Sequence, residues 1–241
     1  MQTTKTRRAG RSTRAMAAER HRSAVRTALL ASAICMVIAL LIFRIPLAKA
    51  GWWGGAGALV LLFIAKTTAK RLEKRTTLIM RSEQRAIRGA VAEERIEDLL
   101  DELGDGYYVL HDLTNPNGNI DHVVIGREAG LFLIETKSHR GRVETRDGAL
   151  LVNGHPPEKD FITQTLRNTY WLRERVQQLT GATPWVTPII VFTNAFVTAG
   201  PPIKGVRALN KKYLLAAIRS ETRPGPWCAA LWEKRRQLGA A

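Results

Sequence analysis

The chain has 241 residues and a formal net charge of +16, which leaves room for one ordinary domain and additional segments. The charge is unevenly placed: residues 1–88 carry 18 Lys and Arg against 3 acids, whereas residues 89–241 carry 19 against 18. Because the C-terminal part is nearly neutral, the total charge does not by itself indicate that this part grips nucleic acid. Two distant cysteines and five histidines without zinc spacing exclude a disulfide scaffold and a zinc site evident from sequence.

The N-terminal third predicts a membrane anchor. Residues 1–26 are basic and polar, so we expect them to be disordered. Two uncharged apolar runs follow, 27–43 and 50–65; each is shorter than the ~20 residues that span a bilayer, but flanking basic residues can snorkel. We therefore predict a two-span transmembrane hairpin over 27–66, in the cell membrane, with both ends cytoplasmic because basic residues flank the pair. A cleaved signal peptide and a buried soluble hairpin are the alternatives.

Residues 67–88 are charged and favour helix, which predicts a basic stalk that would also attract anionic lipid headgroups. A helical stripe of apolar residues continues beyond the stalk, and Glu93 lies on its apolar side, three and seven residues before Ile96 and Leu100. A carboxylate on an apolar face needs a partner, which a metal site would supply. A flanking surface acid is the alternative for Glu93.

Two alternating apolar stretches, 120–125 and 131–137, predict a β-hairpin around a short connection bounded by glycines. A symmetric hairpin pairs position i with position 256 − i, so Asp121 lies opposite Glu135. Directly opposed residues have Cβ atoms roughly 4.5–5.5 Å apart. Lys137 shares a face with Glu135 because side chains alternate along a strand. Two carboxylates and an ammonium are therefore expected at one end of the hairpin.

This trio suits Mg²⁺-dependent cleavage of a phosphodiester. Mg²⁺ takes carboxylate and water oxygens and keeps positions open for substrate phosphate. We expect Asp121 and Glu135 to be ligands of Mg²⁺ or Mn²⁺, and Lys137 to orient water or offset developing charge. An ordinary ion pair on a solvated hairpin, worth about 0–1 kcal/mol, is the alternative. His122 points away from Asp121 and is interpreted as filler rather than as a ligand.

Several blocks of the chain resemble the nuclease-related domain family, a branch of the restriction-endonuclease-like fold whose signature is an Asp followed by Glu/Asp-x-Lys. The blocks lie within about residues 89–200: GAVAE at 89–93, NIDHVVIG at 119–126, GLFLIETK at 130–137, Gly141 and Gln164. The resemblance implies metal ligation by Asp121 and Glu135 and a catalytic role for Lys137. It further implies a helix-borne acid at Glu93 and a supporting residue at Gln164. Alanine precedes the helical acid where the family usually has glycine, and this change leaves the acid in place.

The remaining segments complete an α/β domain over residues 89–220. Strand patterns lie at 107–112, 141–145, 149–153 and 186–192, and helix patterns at 158–179 and 209–219. The continuous apolar strand at 186–192 is typical of a sheet covered on both faces. We expect a restriction-endonuclease-like mixed sheet flanked by helices, followed by a C-terminal tail at 221–241.

The sequence thus favours a multi-pass membrane protein whose cytoplasmic domain is a metal-dependent nuclease. Its expected partners are membrane lipid and a nucleic acid substrate, DNA in preference to RNA. The first rival is a catalytically silent module of the same fold that binds nucleic acid or a protein partner at the membrane. The second rival is a membrane scaffold in which the acids matter little. Because the sequence contains no recognisable base-reading motif, it does not select the form of the substrate.

Overall fold

The computed structural model of the chain describes residues 9–44, 51–116, 118–198, 200–220 and 222–239. The described residues form two compact units. The first unit comprises Thr13–Ile87, and the second comprises the remaining described residues.

Two long helices build the first unit. Helix α1 covers Arg11–Arg44, and the first part of α2 (Gly51–Leu100) completes the unit. The helices meet where the Arg20 guanidinium donates to the Ser82 carbonyl at 3.2 Å and His21 Nδ1 lies 3.1 Å from a Glu83 carboxylate oxygen. The expected disorder up to residue 26 is wrong from residue 11 onward. This stretch is rich in alanine, lacks proline and continues directly into the apolar run, so the helix extends through it.

One segment of α1, Arg14–Leu40, is long and apolar enough to cross a bilayer, and an 18-residue stretch within it has a mean hydropathy of 2.0. No second segment among the described residues meets the same criteria. The second apolar run opens α2, but several of its side chains and the link at 45–50 lie outside the described residues. The structure therefore supports one candidate span, and the two-span hairpin stays a prediction. The proposed stalk and the first helix of the domain are a single helix, α2.

The second unit is a mixed α/β domain, as expected. The elements after α2 are a 3₁₀ turn (Asp101–Leu103), β1 (Tyr107–Asn115), β2 (Gly118–Gly126), β3 (Gly130–Arg146), β4 (Ala149–Val152), α3 (Phe161–Thr180), β5 (Val186–Val197), β6 (Arg207–Asn210), a 3₁₀ turn (Lys211–Tyr213), α4 (Leu214–Ser220) and α5 (Trp227–Leu238).

The strands form a six-stranded sheet in the order β1-β2-β3-β5-β6, with β4 paired to β3 off this path. Strands β1, β2 and β3 are antiparallel, and β4 is antiparallel to the C-terminal half of β3. Strand β5 is parallel to β3, and β6 is parallel to β5.

The β2–β3 hairpin has the predicted register. His122 pairs with Ile134, Val123 with Leu133 and Ile125 with Leu131, so each pair sums to 256. The two strand patterns expected on either side of residue 140 differ from the structure, because β3 is continuous through both. The pairing of β3 with β5 shifts register between Lys137 and Arg140, and the alternation of the sequence is interrupted at the same place.

Helices cover both faces of the sheet. One core cluster joins β2 and β3 to α3 and α5; it includes Val123, Ile125, Leu131, Leu133, Leu172, Val176, Trp227 and Leu231. Another joins the opposite face to α2 and α4; it includes Ile96, Leu100, Val124, Phe132, Ile134, Val191, Leu214 and Ile218. The strand at 186–192 is buried on both faces, as predicted. Within 221–241, assigned as a tail, α5 instead buries four side chains in the core, because its apolar residues recur at helical spacing.

Gly141 is a position where the fold requires glycine. Its φ is +92°, and an added Cβ would lie 2.0 Å from the Asn153 side-chain oxygen, which accepts the Arg142 N–H at 2.8 Å. We expect Gly141→Ala to lower the free energy of unfolding by about 1–3 kcal/mol, measured by chemical denaturation. Gly106→Ala is the matched control, because a Cβ there meets nothing within 4 Å. Equal losses in both variants would contradict this explanation.

Candidate active site

Glu135 is the centre of a buried polar cluster at the end of the hairpin. Its Oε1 accepts hydrogen bonds from the Lys137 ammonium and from Gln164 Nε2, both at 2.7 Å. Lys137 Nζ also lies 3.4 Å from Gln164 Oε1. The side chains of Glu135 and Lys137 are only 3% and 13% exposed, so this is not a solvated surface ion pair. The structure thus brings together three of the residues singled out in the sequence.

The start of α3 positions Gln164. Asp160 caps the helix: its carboxylate accepts the Thr163 N–H at 3.0 Å and the Thr163 hydroxyl at 2.6 Å. These hydrogen bonds lower the pKa of Asp160, as expected when the charged form is the acceptor. Because the cap fixes the first turn, the side chain of Gln164, the fourth residue of the helix, is directed onto Glu135.

Asp121 lies just beyond the last recorded ladder pair of the hairpin, and its Oδ2 accepts the Thr136 N–H at 2.6 Å. Burial raises the pKa of Asp121 well above its usual value, and the charges of Glu135 and then Glu93 raise it further. Lys137 and the Thr136 N–H act in the opposite direction. Desolvation is thus the largest cause of the raised pKa of Asp121, and the two neighbouring carboxylates add to it.

Glu93 is buried on α2, on the same side as Ile96 and Leu100, as its position in the helical stripe predicted. Glu97, four residues further along α2, is also buried. It accepts the Ala9 N–H at 2.8 Å, so the segment before α1 covers that part of the helix. A contact so distant in sequence has no local signal.

The donor set fits a divalent cation of the Mg²⁺ class. Glu135 Oε2 is buried and has no hydrogen-bond partner among the described residues, which is costly for a carboxylate oxygen unless a cation reaches it. Asp121 is held beside it among like charges. No group of three or more His, Cys, Asp or Glu arranged to hold a metal occurs in the described residues. Mg²⁺ needs only one or two carboxylates, since water and substrate phosphate complete its shell.

His122 lies in the core, as interpreted from the sequence. It is fully buried, and its Nδ1 is 2.8 Å from His111 Nδ1, with the two rings edge to face. Burial, followed by the effect of His111, lowers the pKa of His122 well below its usual value. The pair therefore belongs to the packing between β1 and β2.

Two aromatic residues beside Lys137 were missed in the sequence. The Lys137 ammonium lies 4.8 Å from the centre of the Phe161 ring, and His139 packs against the same ring at 5.1 Å. Burial and then Lys137 lower the pKa of His139, whereas Glu158 raises it. His139 continues the alternation of Glu135 and Lys137, so its position was open to prediction. Phe161 had no such signal, because it reaches the site through the packing of α3.

Comparison with known protein families places part of the chain. Residues 88–193 match the family model described as the nuclease-related domain. This range contains Glu93, the β2–β3 hairpin and Gln164. No curated protein and no solved structure matches the chain.

Proposed function

We propose that this chain is a membrane-anchored, metal-dependent nuclease that hydrolyses phosphodiester bonds, because residues 88–193 match the family model of the nuclease-related domain. The observation that carries the proposal is the buried Glu135 Oε2, which lacks a partner among the described residues beside the crowded carboxylate of Asp121. An enzyme that cleaves a phosphodiester needs a positive charge beside the phosphate to stabilise the negative charge that develops there, and these two carboxylates could hold the cation that supplies it. The substrate is nucleic acid, DNA in preference to RNA.

Asp121 and Glu135 would hold the divalent ion, Mg²⁺ or Mn²⁺, with Glu93 assisting through its charge on Asp121. Such an ion, when bound, polarises a phosphoryl oxygen and makes water a better nucleophile. Gln164 positions Glu135: it donates to Oε1 and thereby leaves Oε2 turned to the site. Asp121 is oriented by the Thr136 N–H on its Oδ2.

Lys137 would act on the substrate directly. Its ammonium is fixed by Glu135 Oε1, by Gln164 Oε1 and by the Phe161 ring, so little motion is needed before it meets a phosphate. A preorganised cation of this kind stabilises the negative charge that develops on the diester. Lys137 can also donate a hydrogen bond that orients the attacking water.

We further propose that the protein is multi-pass, with α1 as the first span, residues 50–65 as the second and the domain in the cytoplasm. The length and hydropathy of Arg14–Leu40 support the first span. The contacts of Arg20 and His21 with Ser82 and Glu83 bring together the charged segments that flank the two apolar runs. A hairpin with both ends on the cytoplasmic side would do the same, and its basic residues would contact anionic lipid.

Cleavage assays on the full-length protein in detergent test the nuclease proposal. We expect cleavage of single-stranded or duplex DNA, or of RNA, that requires Mg²⁺ or Mn²⁺ and falls at least about 10²-fold in Glu135→Gln. Asp98→Asn, which alters an exposed acid on α2, should leave the rate unchanged. The proposal fails if neither ion supports cleavage of any substrate, or if Glu135→Gln cuts as fast as the unaltered protein.

The alternative is a silent module of the same fold, and one observation favours it: the Lys137 ammonium already neutralises one carboxylate without any metal. Calorimetric titration with Mg²⁺ separates the two functions. A nuclease should take up the ion, and Glu135→Gln should weaken that uptake. If nucleic acid binds while the protein takes up no divalent ion, the silent module is the better description.

A further inference from the structure

Beyond Lys137, strands β3 and β5 present an exposed face that the proposed function does not use. The parallel register places Arg140 beside Asn194 and Arg142 beside Phe196. All four side chains are exposed, and Phe196 is 66% exposed. The alternating residues Val143 and Ala195 are buried in the core on the opposite face. We call Arg95, Arg140, Arg142, Asn194 and Phe196 the Arg–Phe surface.

Helix α2 supplies the first member of this surface. Arg95 Nη1 donates to the Asn194 side-chain oxygen at 3.2 Å, and both residues are exposed. The contact shows that the Arg–Phe surface lies on the α2 side of the sheet. Arg95 follows Glu93 by two residues on α2, but Arg95 is exposed whereas Glu93 is buried, so the two side chains lie on different sides of the helix. On β3, Arg140 comes three positions after Lys137, about 10 Å along the strand, and its side chain lies on the other face of the sheet.

The end of β6 extends the same region. Asn210 Nδ2 donates to the Ala195 carbonyl at 2.7 Å and ties this end to β5. Two residues later the Lys212 ammonium lies 4.7 Å from the ring of Tyr213, which is 53% exposed. A second exposed aromatic ring with an adjacent cation thus stands beside the Arg–Phe surface.

The charge of this region differs from that of its surroundings. Residues 89–241 carry a net charge of only +1, yet three arginines lie within the Arg–Phe surface. Glu144 offsets part of this charge, with carboxylate oxygens 3.6 Å from Arg142 Nε and 3.4 Å from Arg146 Nη2. Arg142 remains 63% exposed, so its guanidinium is open to a second anion.

We propose that the Arg–Phe surface binds single-stranded nucleic acid, on the face of the sheet opposite the side chains of Lys137 and Gln164. Arginines neutralise phosphates, and an exposed aromatic ring stacks on a base whatever its identity. A duplex keeps its bases stacked on one another, so it gains from the arginines and little from Phe196. The inference rests on the proposed nuclease function and names single strands, or frayed ends, as the form of nucleic acid that the protein holds.

Fluorescence anisotropy with the full-length protein in detergent and EDTA tests this, using labelled DNA of about 12 nucleotides, single-stranded or duplex. We expect Phe196→Ala to weaken single-strand binding roughly 5- to 100-fold and duplex binding much less, whereas Phe196→Trp retains it. Arg140→Ala/Arg142→Ala should reduce the slope of log K against log salt concentration by about 1.4. The basic N-terminal segment is the same in every variant, so a difference between variants reports on the substituted residue.

Tyr170→Ala is the matched control, because Tyr170 is an aromatic residue 58% exposed on α3. Equal losses in Tyr170→Ala and Phe196→Ala, or equal losses of single-strand and duplex binding in Phe196→Ala, would overturn the proposal. Since EDTA removes any need for cleavage, binding and catalysis can fail separately. A protein that shows the Phe196 effect but never cuts would retain the Arg–Phe surface and lose the nuclease function.

Discussion

Asp121→Asn should make the metal-free protein more stable and remove its response to Mg²⁺. The carboxylate of Asp121 is partly buried and lies among the charges of Glu135 and Glu93, so its ionised form is disfavoured in the folded state. A neutral amide relieves this repulsion and still accepts the Thr136 N–H. We expect a gain of about 1–2 kcal/mol at neutral pH in EDTA, or a few °C in Tm.

The pH dependence follows from the raised pKa of Asp121. Because the folded protein holds this proton to higher pH than the unfolded chain, the group's contribution to stability is greatest below the unfolded value of about 3.9. The contribution is lost as pH rises through the folded pKa. The advantage of Asp121→Asn should therefore grow with pH in EDTA, which thermal unfolding over a pH series would measure.

In Mg²⁺ we expect the unaltered protein, and not Asp121→Asn, to be the more stable of the two. An ion present at about 100 times its Kd stabilises the unaltered protein by about 2.7 kcal/mol, and Asp121→Asn should lose most of that gain. Asp98→Asn serves again as the control, with no change in either condition. A variant that is less stable than the parent in EDTA would show that the like charges do not govern this carboxylate.

Lys137→Met should have the opposite effect on the metal-free protein. The substitution leaves the buried Glu135 carboxylate with Gln164 as its remaining recorded donor. Breaking a buried pair in this way costs about 3–5 kcal/mol, and we expect the lower end because Lys137 is partly exposed. The Tm of the variant should be lower than that of the unaltered protein by roughly 6–12 °C. Cleavage by the metal-loaded protein should drop on the order of 10²-fold or more.

A double variant separates charge from shape in this prediction. Glu135→Gln/Lys137→Met removes both charges, and we expect it to recover most of the lost stability. Mg²⁺ should also recover part of the loss in Lys137→Met, since a divalent ion can neutralise the orphaned carboxylate. If Lys137→Met has the same Tm as the unaltered protein, the 2.7 Å ion pair between Lys137 and Glu135 contributes nothing to stability, and Lys137 is not held as proposed.

The hairpin could be predicted from the sequence because its information is local. Alternation along β2 and β3 and the bounding glycines fix the register, and the register places Asp121 beside the strand that carries Glu135 and Lys137. Helical spacing likewise places Glu93 on the buried side of α2. These features depend on neighbours within one turn or one strand.

Residues 11–26 and α5 were not predicted as helices, because their polar residues outweighed the local signals of alanine content and apolar spacing. Other features could not be predicted from the sequence because distant contacts determine them. The Arg–Phe surface needs the pairing of β3 with β5 across more than 50 residues, so a charge count over the domain averages it away. Phe161 reaches Lys137 through the same kind of tertiary contact.

The central position of β3 has a consequence for dynamics. Its 17 residues pair with β2, β4 and β5, so its amides should exchange with solvent only when the whole domain opens. Glu135 and Lys137 are therefore held for the lifetime of the fold. Glu93 and Gln164 stand on helices, which can loosen at lower free energy. Slow amide exchange along β3, together with faster exchange near Gln164, would mean that Gln164 can move while Glu135 and Lys137 stay fixed.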